Sequence, residues 1–231
     1  MRSRTDGTEA GLSRHSALAW LAAAGLCASG PAPLLATERP GAPPDVTPRL
    51  FGWSETALGD PRRYLPKSRV LDRAFGGAEQ PLIQAAGGSA AMRWERLLSE
   101  LAARAPEAQI QAVDRFVNAI AWRDDARLYG QADHWAAPAE FLDAEAGDCE
   151  DFAIAKYVAL ARLGFAEERL RIALVHDRRR DLEHALTIVY WRGDALVLDS
   201  LAEAPASHAA ITRYRPICSF NRRELWLHKP A

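Results

Sequence analysis

The 231-residue chain has almost no charge imbalance, since 29 basic and 30 acidic residues leave a formal net charge of −1. A surface without an excess of positive charge has little to hold a polyanion, which argues against nucleic acid as the main partner. Phosphate-cradling loops are missing as well: Gly76-Gly77 and Gly87-Gly88 are isolated pairs with no Lys-Ser/Thr after them. Metal-ligand spacing is missing too. His134, His176, His208 and His228 are scattered, and Cys149 and Cys218 lie too far apart in the chain to suggest a zinc site.

The sequence also lacks an apolar run suited to a membrane span. Residues 17–28 are apolar and continue weakly to Ala36, but the stretch is short and broken by Gly and Pro. With Arg2, Arg4, Arg14 and His15 ahead of it, segment 1–36 reads as a secretory signal; an uncleaved N-terminal anchor is the alternative. Leu34-Leu35-Ala36 offers a cleavage site, and Leu26 directly before Cys27 argues against a lipid-attached cysteine. Export implies an oxidising compartment, so one reading of the two remaining cysteines is a Cys149–Cys218 disulfide. The other is a reactive Cys149, with Cys218 an ordinary residue after Pro216-Ile217.

What is present suffices for one substantial core, because 48% of the residues are apolar. A Pro-rich lead over 37–49 precedes the expected domain, 50–231. From Leu50 to Gly88 the pattern is irregular and predicts loops with one short helix. Amphipathic helices are predicted over 90–104 and from Pro106 to about Trp122, the proline suiting a first turn. Residues 123–140 show no sustained period and mix Tyr129, His134 and Trp135 with acids, as a groove-lining loop or a core cap would. A third helix is expected over 150–163, stopped by Gly164. Strand signals follow at 170–176, 184–191 and 195–198, the last two joined by a Gly193-Asp194 turn. Helices followed by an antiparallel sheet indicate an α+β domain.

The chemistry centres on Gly147-Asp148-Cys149-Glu150-Asp151, which opens the third helix. A sulfur there meets unpaired N–H groups and the positive end of the helix dipole, which favour thiolate and also suit an oxyanion. The flanking acids pull the other way, since nearby negative charge raises a thiol pKa. Two readings stay open for Asp148, Glu150 and Asp151: a bound Ca²⁺, or ordinary partners of the helix dipole.

His184 begins the second strand, and Asp199 ends the strand returning beside it. A turn at Gly193-Asp194 puts Ile188 opposite Asp199, so His184 and Asp199 share a face. It also leaves them four residues apart, on the order of 13 Å at strand rise, which predicts a bulge or coiling near Trp191. With that gap closed, Cys149 would serve as nucleophile, His184 as base and Asp199 as the residue orienting the base.

GDCEDFAIAKYVALARLGF at 147–165, HALTIVYWRGDALVLDS at 184–200 and YRPICSFNRRELWLH at 214–228 resemble the bacterial transglutaminase-like cysteine peptidases, a group that includes the LapG-type periplasmic proteases. LFGWSET at 50–56 and YGQADHWAAPAEFL at 129–142 extend the likeness to most of the chain from Leu50. The resemblance implies a papain-like, transglutaminase-type fold with Cys149, His184 and Asp199 on the triad positions. It implies Ca²⁺ at Asp148, Glu150 and Asp151 and no organic cofactor. It further implies a protein substrate of the surface-adhesin kind and an inner-membrane regulator responsive to cyclic di-GMP. The chain departs from the family pattern at Ser200, Cys218 and His134, which loosens the carry-over of substrate and regulator. Two other readings keep the fold: an acyltransferase with an amine as acceptor, and a non-catalytic binding module.

Overall fold

The computed structural model describes residues 39–76 and 89–231. The leader expected at 1–36, with Cys27 and the cleavage site, lies outside them. The described part of the Pro-rich lead is tied to the body. Ala166 N–H donates to the Pro40 carbonyl at 2.7 Å, and Arg169 donates to the carbonyls of Ala42 (2.6 Å) and Pro43 (3.1 Å).

A 3-10 turn at Leu50–Gly52 leads into β1 (Ser54–Gly59), two further 3-10 turns and the short α1 (Arg69–Phe75). Next come α2 (Ser89–Leu101), α3 (Pro106–Asn118), β2 (Ala121–Trp122), α4 (Asp125–Leu128), α5 (Pro138–Ala144), β3 (Ala146–Gly147) and α6 (Cys149–Arg162). The remainder is mostly sheet: β4 (Leu170–Asp177), β5 (Leu182–Trp191), β6 (Asp194–Leu198), β7 (Ala206–Ser207), β8 (Tyr214–Phe220) and β9 (Leu225–Lys229). Seven strands form one sheet in the order β1-β9-β8-β4-β5-β6-β7. The helices, with an antiparallel sheet, make the expected α+β architecture.

Three differences from the sequence reading have physical causes. The sheet includes β1, β7, β8 and β9, which patterning does not announce. SETALG in β1 shows no alternation because this edge strand is exposed at its centre. Pro216 in β8 sits beside the register shift at Leu174/Val175, where a missing N–H is tolerated. The helix expected from Pro106 to about Trp122 also ends earlier, at Asn118, because Ala121–Trp122 pairs in parallel with Ala146–Gly147 just ahead of Cys149.

The third difference decides the site. The β5–β6 turn is Arg192-Gly193, with both residues at positive φ (52° and 73°), and Trp191 pairs with Asp194. Thr187 therefore faces Leu198, and continuing that register brings Asp199 level with Leu186 rather than Ile188. The offset from His184 halves to two residues, so no bulge near Trp191 is needed.

α6 is buried on every side from Asp151 to Leu160, between the sheet and the other helices. It ends as expected: Gly164 takes φ 93°, Phe165 N–H donates to the Leu160 carbonyl and Gly164 N–H to the Ala161 carbonyl, the paired hydrogen bonds of a Schellman stop. The far face of the sheet carries a second apolar cluster with Val175, Leu186, Ile188, Tyr190, Val197 and Tyr214.

Candidate active site

The β2–β3 pairing holds the chain just before α6, and Arg123 N–H adds a bond to the Gly147 carbonyl at 2.8 Å. Residue 147 has to be glycine for steric reasons, since a Cβ there would meet Phe141 Cδ2 at 2.7 Å and Asp151 Oδ2 at 2.6 Å. Asp148 is extended, and α6 begins at Cys149. The expected placement of the sulfur at a helix start holds. Both Cys149 and Cys218 are free and half-buried, so the disulfide reading is corrected.

The Cys149 thiol donates to a Glu150 carboxylate oxygen at 3.2 Å. Burial first, and then the Glu150 charge, push this thiol far above its ordinary range, while the Ala185 backbone N–H works in the opposite direction. No hydrogen bond joins Cys149 to His184 among the described residues. Both line one cleft of about 420 Å³, shared with Leu65, Lys67, Trp135 and Leu174.

His184 and Asp199 do meet. His184 Nε2 lies 2.8 Å from Asp199 Oδ1, with both residues buried. Leu201 N–H donates to the same oxygen at 2.9 Å. The other oxygen, Oδ2, accepts from Tyr214 Oη at 2.5 Å and from Arg213 at 2.6 Å. Burial alone would raise the Asp199 carboxyl, but these bonds, led by His184 and Tyr214, reverse the sign and hold it below the usual carboxylate range. An ionised Asp199 accepts from Nε2–H and leaves Nδ1 as the unprotonated ring nitrogen.

Behind this pair, α3 braces two elements at once. Asn118 donates to the carbonyls of Asp199 (3.1 Å) and Ala202 (3.2 Å). One turn earlier, Asp114 pairs with Lys156 of α6 at 2.7 Å, both almost fully buried.

The acids form a larger cluster than the sequence suggested. Carboxylate oxygens of Asp125, Asp148 and Asp151 lie within 4.8 Å of one another, as do those of Asp125, Asp133 and Glu150. Asp151 is already engaged, accepting from Ala136 N–H at 2.8 Å and Asp148 N–H at 3.4 Å. Asp148 Oδ1 and Asp125 Oδ1 are buried with no hydrogen-bond partner. Burial raises the Asp148, Glu150 and Asp125 carboxyls and pushes Asp151 up to about 8, with neighbouring acids adding to the rise.

Asp125, Asp133, Arg213 and Tyr214 were missed from sequence. The acids of 123–140 stood out only as part of an aperiodic groove-lining stretch, and nothing local marks Tyr214 as a partner of Asp199. Of the departures noted above, the His134 ring lies against that of Tyr129 at a 48° tilt with centroids 4.3 Å apart, and its backbone N–H donates to Asp125. Cys218 sits opposite Leu174 in the β4–β8 ladder, its thiol pushed up to about 11 by burial and then by Glu183.

The family model of the bacterial transglutaminase-like cysteine proteinases matches residues 93–227, which include the helix-start cysteine and the His184–Asp199 pair. The chain belongs to this family. It is accordingly a cysteine peptidase, with helices and antiparallel sheet arranged as in a transglutaminase-like protease. Among solved structures, Legionella pneumophila LapG is similar, 27% identical with a TM-score of 0.55, over 70% of this chain and 87% of that one. Its calcium-bound form is 28% identical, with a TM-score of 0.56 over 70% and 87%. An EGTA-treated form is 27% identical, with a TM-score of 0.56 over 71% and 86%. No curated protein matches the chain. Among the described residues, no helix of this cysteine peptidase is long and apolar enough to cross a membrane.

Proposed function

We propose that the protein is a periplasmic cysteine endopeptidase in which Cys149 is the nucleophile, His184 the general base and Asp199 the group that orients His184. The observation that carries this reading is the buried 2.8 Å contact between His184 Nε2 and Asp199, at a cleft that also holds Cys149. With Nε2–H held by Asp199, Nδ1 is left to take the thiol proton. The Cys149 thiolate attacks the scissile carbonyl, the amine leaves with the proton carried by His184, and a thioester forms. Water, deprotonated by His184, then releases the acid and regenerates the thiol. Backbone N–H groups at the start of α6 suit the intermediate oxyanion.

The acid cluster fits a hard cation. Apart from the Cys149 sulfur beside Asp148 and Glu150, its donors are carboxylate oxygens, two of them buried without partners, and oxygen ligands of that kind suit Ca²⁺. Asp148 and Asp125 offer the free oxygens, Glu150 and Asp133 lie beside them, and Asp151 contributes while retaining its structural bonds. A bound ion would supply the positive charge that offsets the acids around the thiol. Glu150 is the residue that holds the thiol proton, so its engagement elsewhere favours thiolate at Cys149.

The leader is read as an export signal or anchor over 1–36, with 37–49 as the lead into a single peptidase domain at 50–231. Membership of a cysteine peptidase family supports a protein substrate; the substrate proposed is a surface adhesin, with an inner-membrane regulator responsive to cyclic di-GMP, as the sequence resemblance implies. The test is to incubate the protein and Cys149→Ala with the outer-membrane and surface proteins of the source organism and identify new termini by mass. New free carboxylates that appear only with wild type support hydrolysis. Cross-linked adducts would indicate acyl transfer, and identical products from both proteins would defeat the assignment of Cys149.

A further inference from the structure

A second cleft, of about 520 Å³, opens on the far face of the sheet beside the Leu50–Gly52 turn. It is larger than the 420 Å³ cleft at Cys149, and the proposed chemistry makes no use of it. Its size is that of a ligand site. Phe51, Trp53, His208 and Tyr214 line it together with Arg178 and Arg215, and no Asp or Glu appears among the described lining residues. Phe51 is held at φ 53°, a left-handed conformation unfavourable for a bulky side chain. Its N–H donates to His208 Nδ1 at 2.9 Å, and its ring meets those of His208 and Tyr214 edge-on at 6.2 and 6.0 Å. Strain of this kind gathers at binding sites.

An adjoining cleft of about 290 Å³ shares Ile211 and Thr212 with the first and adds Arg179 together with Arg213 and Asp199, which pair with each other at 2.6 Å. With Arg213 matched by Asp199, Arg178, Arg179 and Arg215 leave a local excess of positive charge over the two joined clefts on a chain whose net charge is −1. Two clefts sharing a wall are longer than one small anion requires and suit an extended chain. The aromatic walls suit a ring. Tyr214 lines the larger cleft while its Oη donates to Asp199 at 2.5 Å.

We propose that the far-face cleft docks an acidic polypeptide segment carrying an aromatic side chain, and that occupancy is transmitted to Asp199 through Tyr214. The transmission rests on the triad reading above; the docking does not. Binding is measured on Cys149→Ser protein, where turnover is absent, by fluorescence anisotropy with a labelled Glu-Glu-Trp-Glu-Glu peptide. Saturable binding is expected, weakened about tenfold or more in the Arg178→Glu, Arg215→Glu double variant and about tenfold when the peptide tryptophan is replaced by alanine. Arg96→Glu, a reversal on the exposed face of α2, serves as the charge control and should bind as the parent does. A Gln-Gln-Trp-Gln-Gln peptide tests the charge without altering the protein, which keeps the result readable should the double variant misfold. Equal binding of the neutral peptide, equal binding by a folded double variant, or no saturation would overturn the docking site. Capture by phosphatidylglycerol vesicles through the same arginines, with no peptide binding, would replace it with a lipid surface. In wild type, saturating peptide should change kcat/KM for a protein substrate. An unchanged rate in an active protein that binds the peptide would refute the link through Tyr214. A protein that hydrolyses nothing would sink the triad reading while the binding result still stands or falls alone.

Discussion

Replacing Asp199 by Asn tests what the buried carboxylate does, because its four contacts are all donors: His184 Nε2–H, Leu201 N–H, Tyr214 Oη–H and Arg213. An ionised carboxylate can accept all four. An amide presents one oxygen and an NH₂ group, so one side of Asn must aim N–H at a donor. If the NH₂ faces Tyr214 and Arg213, those groups lose their acceptor, at about 1–3 kcal/mol for a buried donor left unmet. If it faces His184, Nε2 must accept, the ring proton moves to Nδ1, and the nitrogen assigned to the thiol can no longer take a proton. The second arrangement leaves only Leu201 N–H without its acceptor, against both Tyr214 and Arg213 in the first, and is the one expected to prevail. The rate cost of a wrong tautomer is on the order of 10²–10⁴ in kcat/KM. The Asn variant should also lose an acid-side dependence of stability. The Asp199 pKa is depressed on folding, so its contribution is present above the unfolded value of roughly 4 and is lost as pH falls toward the lower folded value. Adding Tyr214→Phe removes one competing donor and should recover some stability without recovering rate. Cleavage kinetics on a substrate identified by new termini, with thermal melts from about pH 3 to pH 7, give both readouts. An Asp199→Asn enzyme within about threefold of wild type in kcat/KM would refute the reasoning.

Glu150 accepts the Cys149 thiol proton, so in calcium-free protein Glu150→Gln should raise the rate of Cys149 alkylation at neutral pH; an unchanged or lower rate counts against that contact. The raised carboxyls of Asp148, Glu150 and Asp151 reverse the usual pH trend of stability. Their contribution is fully present below the unfolded value and is lost as pH rises, so calcium-free protein should melt at lower temperature near about pH 8 than near pH 5. Added Ca²⁺ should flatten that slope, and identical melts after exhaustive chelation would remove the ion from the account. Breaking the buried Lys156–Asp114 pair at one end, as Lys156→Met, should cost about 3–5 kcal/mol in denaturant unfolding, whereas the double Lys156→Met, Asp114→Leu variant should cost less. A double variant as unstable as the single would show that the charges are not acting as a pair.

How much of this was legible from sequence depended on how local each signal was. The start of α6 at the Cys149 run and its stop at Gly164 are written in adjacent residues, and both appear as read. The β5–β6 hairpin was visible but its turn was misplaced, because Arg192 occupies a left-handed position that composition assigns to Gly193-Asp194. Moving the turn by one residue shifts the register by two, which halves the expected separation of about 13 Å along the ladder. β1 carries little alternation because its centre is exposed, and it could be assigned only through its pairing with β9. Asp125 and Asp133 reach the acids beside Cys149, and Tyr214 reaches Asp199, only through tertiary packing, so no spacing rule marks them.

The central claim is that His184, held by Asp199, activates Cys149. Timed alkylation with iodoacetamide, in the presence of Ca²⁺ and followed by peptide mapping, reads it directly, with Cys218 as an internal reference in the same molecule. Cys149 should be modified about tenfold faster than Cys218 at neutral pH, and His184→Ala should abolish most of that difference. Equal rates at the two cysteines, or a Cys149 rate untouched by loss of His184, would contradict the claim.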